Sequence, residues 1–566
     1  MTGRRVRQPS LRPGSPRWSQ IPADTDDGES AYALSRLDPL VRSASPVIGG
    51  PAGRRLASAT GFWRAATVLV LLSAVVFGLG IVQKQHCRAE GWSSPDQFWH
   101  ACYSDIPVVF ASSGLGGADR PDLTTALSPD TGLGQPPLAG LMMWVTSAVI
   151  DGDQVGANRD YFDLTALLLA ALLAVAVAAV SFTLDRRGWD ASHLALSPVL
   201  ITAGLISYQV LAITLVALAL FALSRNRAAA GGLLLGLGVA AAPQVAVVGV
   251  VVAVLALWRS GTYLQSQTDE AGRDPRALAG VTFAGVTVIT WLVLRILLLP
   301  GLTGGFGDVW TDWRKGTPGY GSLWLIPKLL ADSAPDPASS WGGRFVQVLF
   351  GWLFAADSLG GAVTSVLVVI ALLVAGAALL RLTVVKVAPL SPIRTGTLIE
   401  DGVDPGTGSS SSTVLADWVT RRVAPASLAT LAVVLVTAKS LPAQASLLLL
   451  PLIALSGLRW RDHLIWAGTE AVYFVGIWLY IAGETTANRG LPSQFYLLML
   501  VARLAGIAWV GVQGVLVYRA TGAGAEGYPD QVGFTGSLSI REISPPGLDE
   551  GTLLGDRDAG TPGTPA

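Results

Sequence analysis

The apolar residues of this chain are gathered into runs close to the length a helix needs to cross a bilayer, about 20 residues. Residues 62–82 and 162–184 are clear examples, each with a single charged residue. A backbone inside hydrocarbon must satisfy its own hydrogen bonds, which leaves helices or closed barrels. These runs are continuous rather than alternating, so helices are expected. Composition agrees: 51% of residues are hydrophobic and 14% charged, against about 25% charged in soluble proteins. The expected class is an all-α polytopic membrane protein. The net charge of zero gives no bulk attraction to nucleic acid.

Charge distribution sets the expected orientation. Residues 1–61 hold nine Arg and no Lys, and the first apolar run comes too late for an ordinary signal peptide. The positive-inside rule then keeps the N-terminus cytoplasmic. Residues 84–161, with four Lys or Arg against nine Asp or Glu, are expected outside. Within them 136–150 is apolar but short. Reading it as an interfacial helix places Arg186, Arg187, Arg225, Arg227 and Arg259 inside, and that reading is preferred.

Twelve spans follow, at 62–82, 162–184, 192–206, 207–223, 228–241, 243–258, 277–299, 362–382, 426–440, 443–457, 464–483 and 495–519, with both termini cytoplasmic. The transmembrane domain is 62–520. It carries outer loops at 84–161 and 300–361 and a cytoplasmic linker at 383–424, whose core at 406–412 is of low complexity. The tails 1–61 and 521–566 are expected to be disordered. The glycines of 228–241, including Gly231, Gly232 and Gly236, read as close helix packing.

The polar residues that could do chemistry concentrate in the first outer loop. Asp105 follows Tyr103 and precedes Ile106-Pro107. A carboxylate just above the membrane can take a proton from a hydroxyl as a general base, hold a divalent ion, or merely cap a helix with Ser104. Cys87 and Cys102 lie on the oxidising side. They could pair, closing a loop worth about 3 kcal/mol, remain free thiols, or ligate a metal with a histidine. His86 and His100 could assist Asp105 or simply be solvated. Arg295 and Lys439 sit near outer ends of spans, where each could meet a phosphate or snorkel. Glu470 and Arg503, on adjacent spans, are expected to pair. The chain has no phosphate-binding Gly-rich P-loop, HExxH or nucleophile elbow.

Four stretches resemble actinobacterial members of glycosyltransferase family 87, within the GT-C superfamily of polyprenyl-phosphate-sugar-dependent enzymes. Cys102-Tyr103-Ser104-Asp105-Ile106-Pro107 looks like that family's first outer-loop motif, and Gly321-Ser322-Leu323-Trp324 its late outer-loop motif. Lys439, Gln444 and Pro451-Leu452 sit as in its Lys-x-x-Ser-Pro-Gln-Tyr…Leu-Pro-Leu pattern. Residues Tyr473 to Tyr480 resemble its penultimate helix. The chain departs from the pattern at Gly134-Gln135-Pro136, Ser207-Tyr208-Gln209, Ala242-Pro243-Gln244-Val245 and Ala445.

The resemblance implies a GT-C-like fold with interfacial helices in the first outer loop and Asp105 as the catalytic base. It implies an inverting transfer of a sugar, mannose by family, from a polyprenyl-phosphate donor to a lipid or glycan acceptor of the cell envelope. Lys439 and Arg295 would hold the leaving phosphate, and Tyr103, His100, Trp324 and Gln444 would contact substrate. No cofactor is required, and a divalent metal has no motif to support it. Two other classes stay open: a non-catalytic GT-C-like protein that binds lipid-linked glycan or scaffolds envelope assembly, motivated by the departures, and a transporter or flippase.

Overall fold

The computed structural model describes residues 62–117, 120–127, 133–150, 155–259, 275–298, 316–333, 341, 344, 357–384, 411–486 and 489–520. The expected tails 1–61 and 521–566 lie outside these residues, as do most of the loop 300–361 and most of the linker 383–424. The described residues are helical, with no strand among them. The chain is a membrane protein. Six described helices are long and apolar enough to cross a bilayer: Ala65–Gln83, Val155–Leu184, Pro275–Leu297, Val414–Thr437, Trp460–Thr485 and Ser493–Ala520. Five shorter apolar helices accompany them.

The first long helix, α1 (Phe62–Gln83), leads into the short helices α2 (Gln85–Glu90), α3 (Asp96–Trp99) and α4 (Asp105–Ser112). Helix α5 (Pro137–Ser147) has 11 residues, about 16 Å, which is too short to cross a bilayer. Arg120 anchors it, lying over the Trp144 ring and donating to the Trp144 carbonyl. Helix α6 (Val155–Leu184) begins seven residues before the expected span. Asp163, in its third turn, meets Arg88 of α2, where the guanidinium grips both carboxylate oxygens at 2.7 and 2.5 Å.

Two expected spans are broken helices. Segment 192–206 forms helix Ser192–Ala195 and α7 (Pro198–Ala203) rather than one continuous rod. Pro198 cannot continue a helix entered from Ala195, because its N–H is missing and the residue before it is driven extended. Segment 443–457 forms a 3₁₀ turn, Ala443–Leu449, followed by the short helix Leu450–Ser456. Residues 411–424, expected within the linker, are helical too: helix Ser411–Trp418 and a π turn, Val419–Val423, extend the following helix toward its N-terminus.

Between the broken segments the bundle is built from α8 (Gln209–Ser224), α9 (Ala228–Ala241), α10 (Ala246–Arg259), α11 (Pro275–Leu298) and α12 (Asp357–Val384). It continues with α13 (Ala424–Thr437), α14 (Leu450–Ser456), α15 (Trp460–Thr485) and α16 (Ser493–Ala520). Helix α9 lies between α8 and α11, and α16 packs on α13 and α15. The glycine face of α9 permits the first of these contacts. A Cβ on Gly232 would stand 2.5 Å from the Phe283 carbonyl oxygen, and one on Gly236 2.5 Å from Thr290 Cβ. With little hydrophobic drive between helices in lipid, such close backbone approach supplies the packing.

Replacing Gly236 by Val is therefore expected to wedge α9 from α11 and cost about 1–3 kcal/mol. A lowered unfolding temperature of the purified protein in detergent would agree, whereas an unchanged one would contradict this packing.

Candidate functional site around Asp105

Asp105 stands at the first position of α4. Ser104 caps that helix: its hydroxyl accepts from the Ile106 N–H at 3.3 Å and donates to the Leu205 carbonyl at 2.7 Å. The Asp105 N–H donates to the Ile206 carbonyl at 2.8 Å. Pro107 costs nothing so early in a helix, where its missing N–H would have no partner. The end of the broken segment 192–206 thus supplies the backbone acceptors that seat the motif. Its break leaves those carbonyls outside any helix of their own.

The half-buried carboxylate has a donor on each oxygen. Tyr103 Oη donates to Oδ1 at 2.8 Å, and Gln444 Nε2 donates to Oδ2 at 3.3 Å. The Tyr103 ring lies among Phe98, centroids 5.5 Å apart, and Trp478 of α15, centroids 4.7 Å apart. Lys84, the residue after α1, is fully buried. Its ammonium donates to the Tyr103 carbonyl at 2.8 Å and lies over the Phe474 ring. Burial pushes Lys84 down to about 7, against the pull of Asp105. Burial also raises Asp105 above the ordinary aspartate range, while Tyr103 and Lys84 favour its ionised form. The result is a carboxylate and an amine each of which favours the charged form of the other.

Gln444 reaches Asp105 because the connector after α13 is held in an extended path. Arg503 of α16 donates to the Leu441 carbonyl at 2.6 Å, to the Pro442 carbonyl at 2.9 Å and to Ser446 Oγ at 2.9 Å. Its Nε pairs with Glu470 Oε2 at 3.0 Å, as expected from their adjacent spans. Ser446 donates to the other Glu470 oxygen at 2.7 Å. On the far side of the connector, the Gly319 N–H donates to the Lys439 carbonyl, and the Leu441 N–H to the Tyr320 carbonyl. Gly321 has φ +78°, and a Cβ there would stand 2.0 Å from the Leu441 oxygen. Only glycine fits that approach in that backbone conformation.

The residues singled out in the sequence separate into distinct places. Asp105, Tyr103 and Gln444 come together. Lys439 belongs to the connector, its ammonium donating to the Gly316 and Gly361 carbonyls at 2.7 and 2.8 Å. Trp324 donates its indole N–H to the Thr437 carbonyl at 2.9 Å. Both therefore brace the connector through backbone carbonyls. Arg295, in the last turn of α11, faces the Trp291 ring of its own helix. His100 packs on His86, not on Asp105. Cys87 and Cys102 are joined in a disulfide with both residues buried.

Lys84, Phe98 and Trp478 were not assigned to the site from sequence. Lys84 carried a signal, as the one lysine of the acidic segment 84–161. No protein-family model, curated protein or solved structure matches the chain.

An infrared pH titration, taken as the difference between wild type and Asp105→Asn, should show the protonated Asp105 carboxyl persisting above the ordinary aspartate value of about 3.9. Lys84→Met removes a cation that favours the carboxylate, so the band should persist to still higher pH. A band already lost near pH 4, or one that Lys84→Met leaves in place, would contradict the coupling.

Proposed function

We propose that this chain is an integral-membrane glycosyltransferase of GT-C type, moving a sugar from a polyprenyl-phosphate donor to an extracytoplasmic acceptor of the cell envelope. The observation that supports it most is the meeting of Asp105 with Gln444, 339 residues later in sequence. Each comes from a motif of the resemblance, and nothing local to either brings them together. Six helices are long and apolar enough to cross a bilayer, and this reading takes the five shorter apolar helices and the segment 192–206 as the other six crossings. An even number leaves both termini on the cytoplasmic face of the plasma membrane. The short α5 then lies at the outer interface.

In this reading the Asp105 carboxylate accepts the proton of the acceptor hydroxyl as that oxygen attacks the anomeric carbon. The bond from the anomeric carbon to the phosphate oxygen breaks, its electron pair leaves with the lipid phosphate, and configuration inverts. Tyr103 and Gln444 hold the carboxylate in place. Lys84 favours its ionised form before the proton arrives. The rings of Phe98, Tyr103 and Trp478 offer apolar surface to a sugar face. Lys439 and Arg295 are the cations we assign to the leaving phosphate. Mannose is the sugar suggested by the resemblance.

A second reading, a non-catalytic protein that binds lipid-linked glycan or scaffolds envelope assembly, is favoured by one observation. Lys439 and Trp324 spend polar groups on backbone carbonyls. Sugar transfer in membranes separates the two. With a labelled polyprenyl-phosphate sugar, Asp105→Asn at equal protein level should lose product by at least about 100-fold, the lower end for a general base. Equal product from wild type, the variant and a deletion strain would contradict the enzyme and favour the binding protein.

A further inference from the structure

Nineteen residues upstream of Asp105 in the chain, His86 begins a second cluster that the transfer chemistry does not use. His86 Nε2 lies 2.7 Å from Asp96 Oδ2, and His100 Nδ1 lies 3.2 Å from Asp96 Oδ1. The two imidazoles are stacked with centroids 3.5 Å apart. One ligand atom from each of the three residues lies within 4.8 Å of the others. All three side chains are partly open to solvent.

We propose that His86, Asp96 and His100 bind one divalent transition-metal ion, and that Zn²⁺ is the ion they fit best. Two nitrogens and one carboxylate oxygen are the donors zinc takes, at about 2.0–2.2 Å. At that bond length, ligand atoms of a tetrahedral site stand roughly 3.3 Å apart, which the 3.2 Å between His100 Nδ1 and Asp96 Oδ1 matches, while the 2.7 Å between His86 Nε2 and Asp96 Oδ2 is a hydrogen bond that the ion would replace. Three protein ligands leave the fourth position to water from the solvent side.

The scaffold is prepared before any ion arrives. The Cys87–Cys102 disulfide ties the residue after His86 to the second residue after His100. Gln83 Nε2 donates to the Ala101 carbonyl at 2.6 Å, and Trp92 Nε1 to the Cys102 carbonyl at 3.2 Å. An ion there would fasten α2 to α3 across 91–95, and so stiffen the segment that delivers Tyr103 and Asp105. This inference is independent of the transferase reading, because a loop of either reading gains the same fastening.

The test uses the full-length protein in detergent, stripped with a chelator and titrated with Zn²⁺ against a chromophoric competitor. Wild type should bind one equivalent, and His100→Ala should bind at least about 100-fold more weakly. His86→Ala serves as the second variant, each checked for an intact disulfide and a monodisperse profile. X-ray absorption at the zinc edge of the wild type alone should show two imidazoles and oxygen without sulfur. No binding at one equivalent, equal affinity in folded His100→Ala and His86→Ala, or a spectrum lacking imidazole scattering would overturn the site.

Discussion

A guanidinium buried among helices has to satisfy its N–H groups without water, because each one left bare costs several kcal/mol. Arg503 does so with Glu470, Ser446 and the carbonyls of Leu441 and Pro442, and its plane lies over the Tyr473 ring. Two of these partners, the carbonyls of Leu441 and Pro442, belong to one non-helical connector. Arg503 shares the task of satisfying that connector: α13 ends at Thr437 and the next turn begins at Ala443, and the Ala438, Lys439 and Pro442 carbonyls also accept from Ser322, the Gly319 N–H and the Ala445 N–H. The pair with Glu470 neutralises the charge, and removal of either partner would strand the other at a cost of about 3–5 kcal/mol. Irregular backbone at this depth persists because Arg503 pays for it in hydrogen bonds.

Two halves of the chain depend on that arrangement. The first half delivers Asp105 on a short capped helix, fixed by the carbonyls of Leu205 and Ile206 and by the disulfide one turn earlier. The second delivers Gln444 at the end of the Arg503-held connector. Each half contributes a broken apolar segment, 192–206 and 443–456. Helix breaks free carbonyls and N–H groups for use in a site, which continuous spans cannot offer. Lys84, sealed under Tyr103, favours the Asp105 charge and reaches the second half where its ammonium lies over the Phe474 ring.

Much of this was legible in the sequence, and for physical reasons. Long apolar runs announce helices, so most of the long helices could be placed along the chain. Intramembrane charges are costly, so Glu470 and Arg503 could be paired in advance. The motif around Asp105 stood out because polar, aromatic and acidic residues are scarce elsewhere. What stayed hidden is the path of irregular backbone. The backbone carbonyls that meet Lys439 and Trp324 were hidden too, because a side chain's type does not reveal which carbonyls the fold brings to it. The fate of 192–206 turned on Pro198, whose effect within an apolar run depends on neighbours that can take up the freed groups. His86, Asp96 and His100 are separated by a turn whose course periodicity does not describe, so their convergence required coordinates.

The central claim is that a lipid-phosphate-linked sugar is handled at the end of the bundle where Asp105 meets Gln444. Single-particle cryo-electron microscopy in nanodiscs, with a non-transferable phosphonate analogue of a polyprenyl-phosphate sugar, tests it most directly. The account predicts density for the sugar against Asp105 and the rings of Phe98, Tyr103 and Trp478, with the lipid tail leaving between helices. Analogue bound at the opposite end of the bundle, or a site at Asp105 left unchanged at saturating analogue, would contradict it.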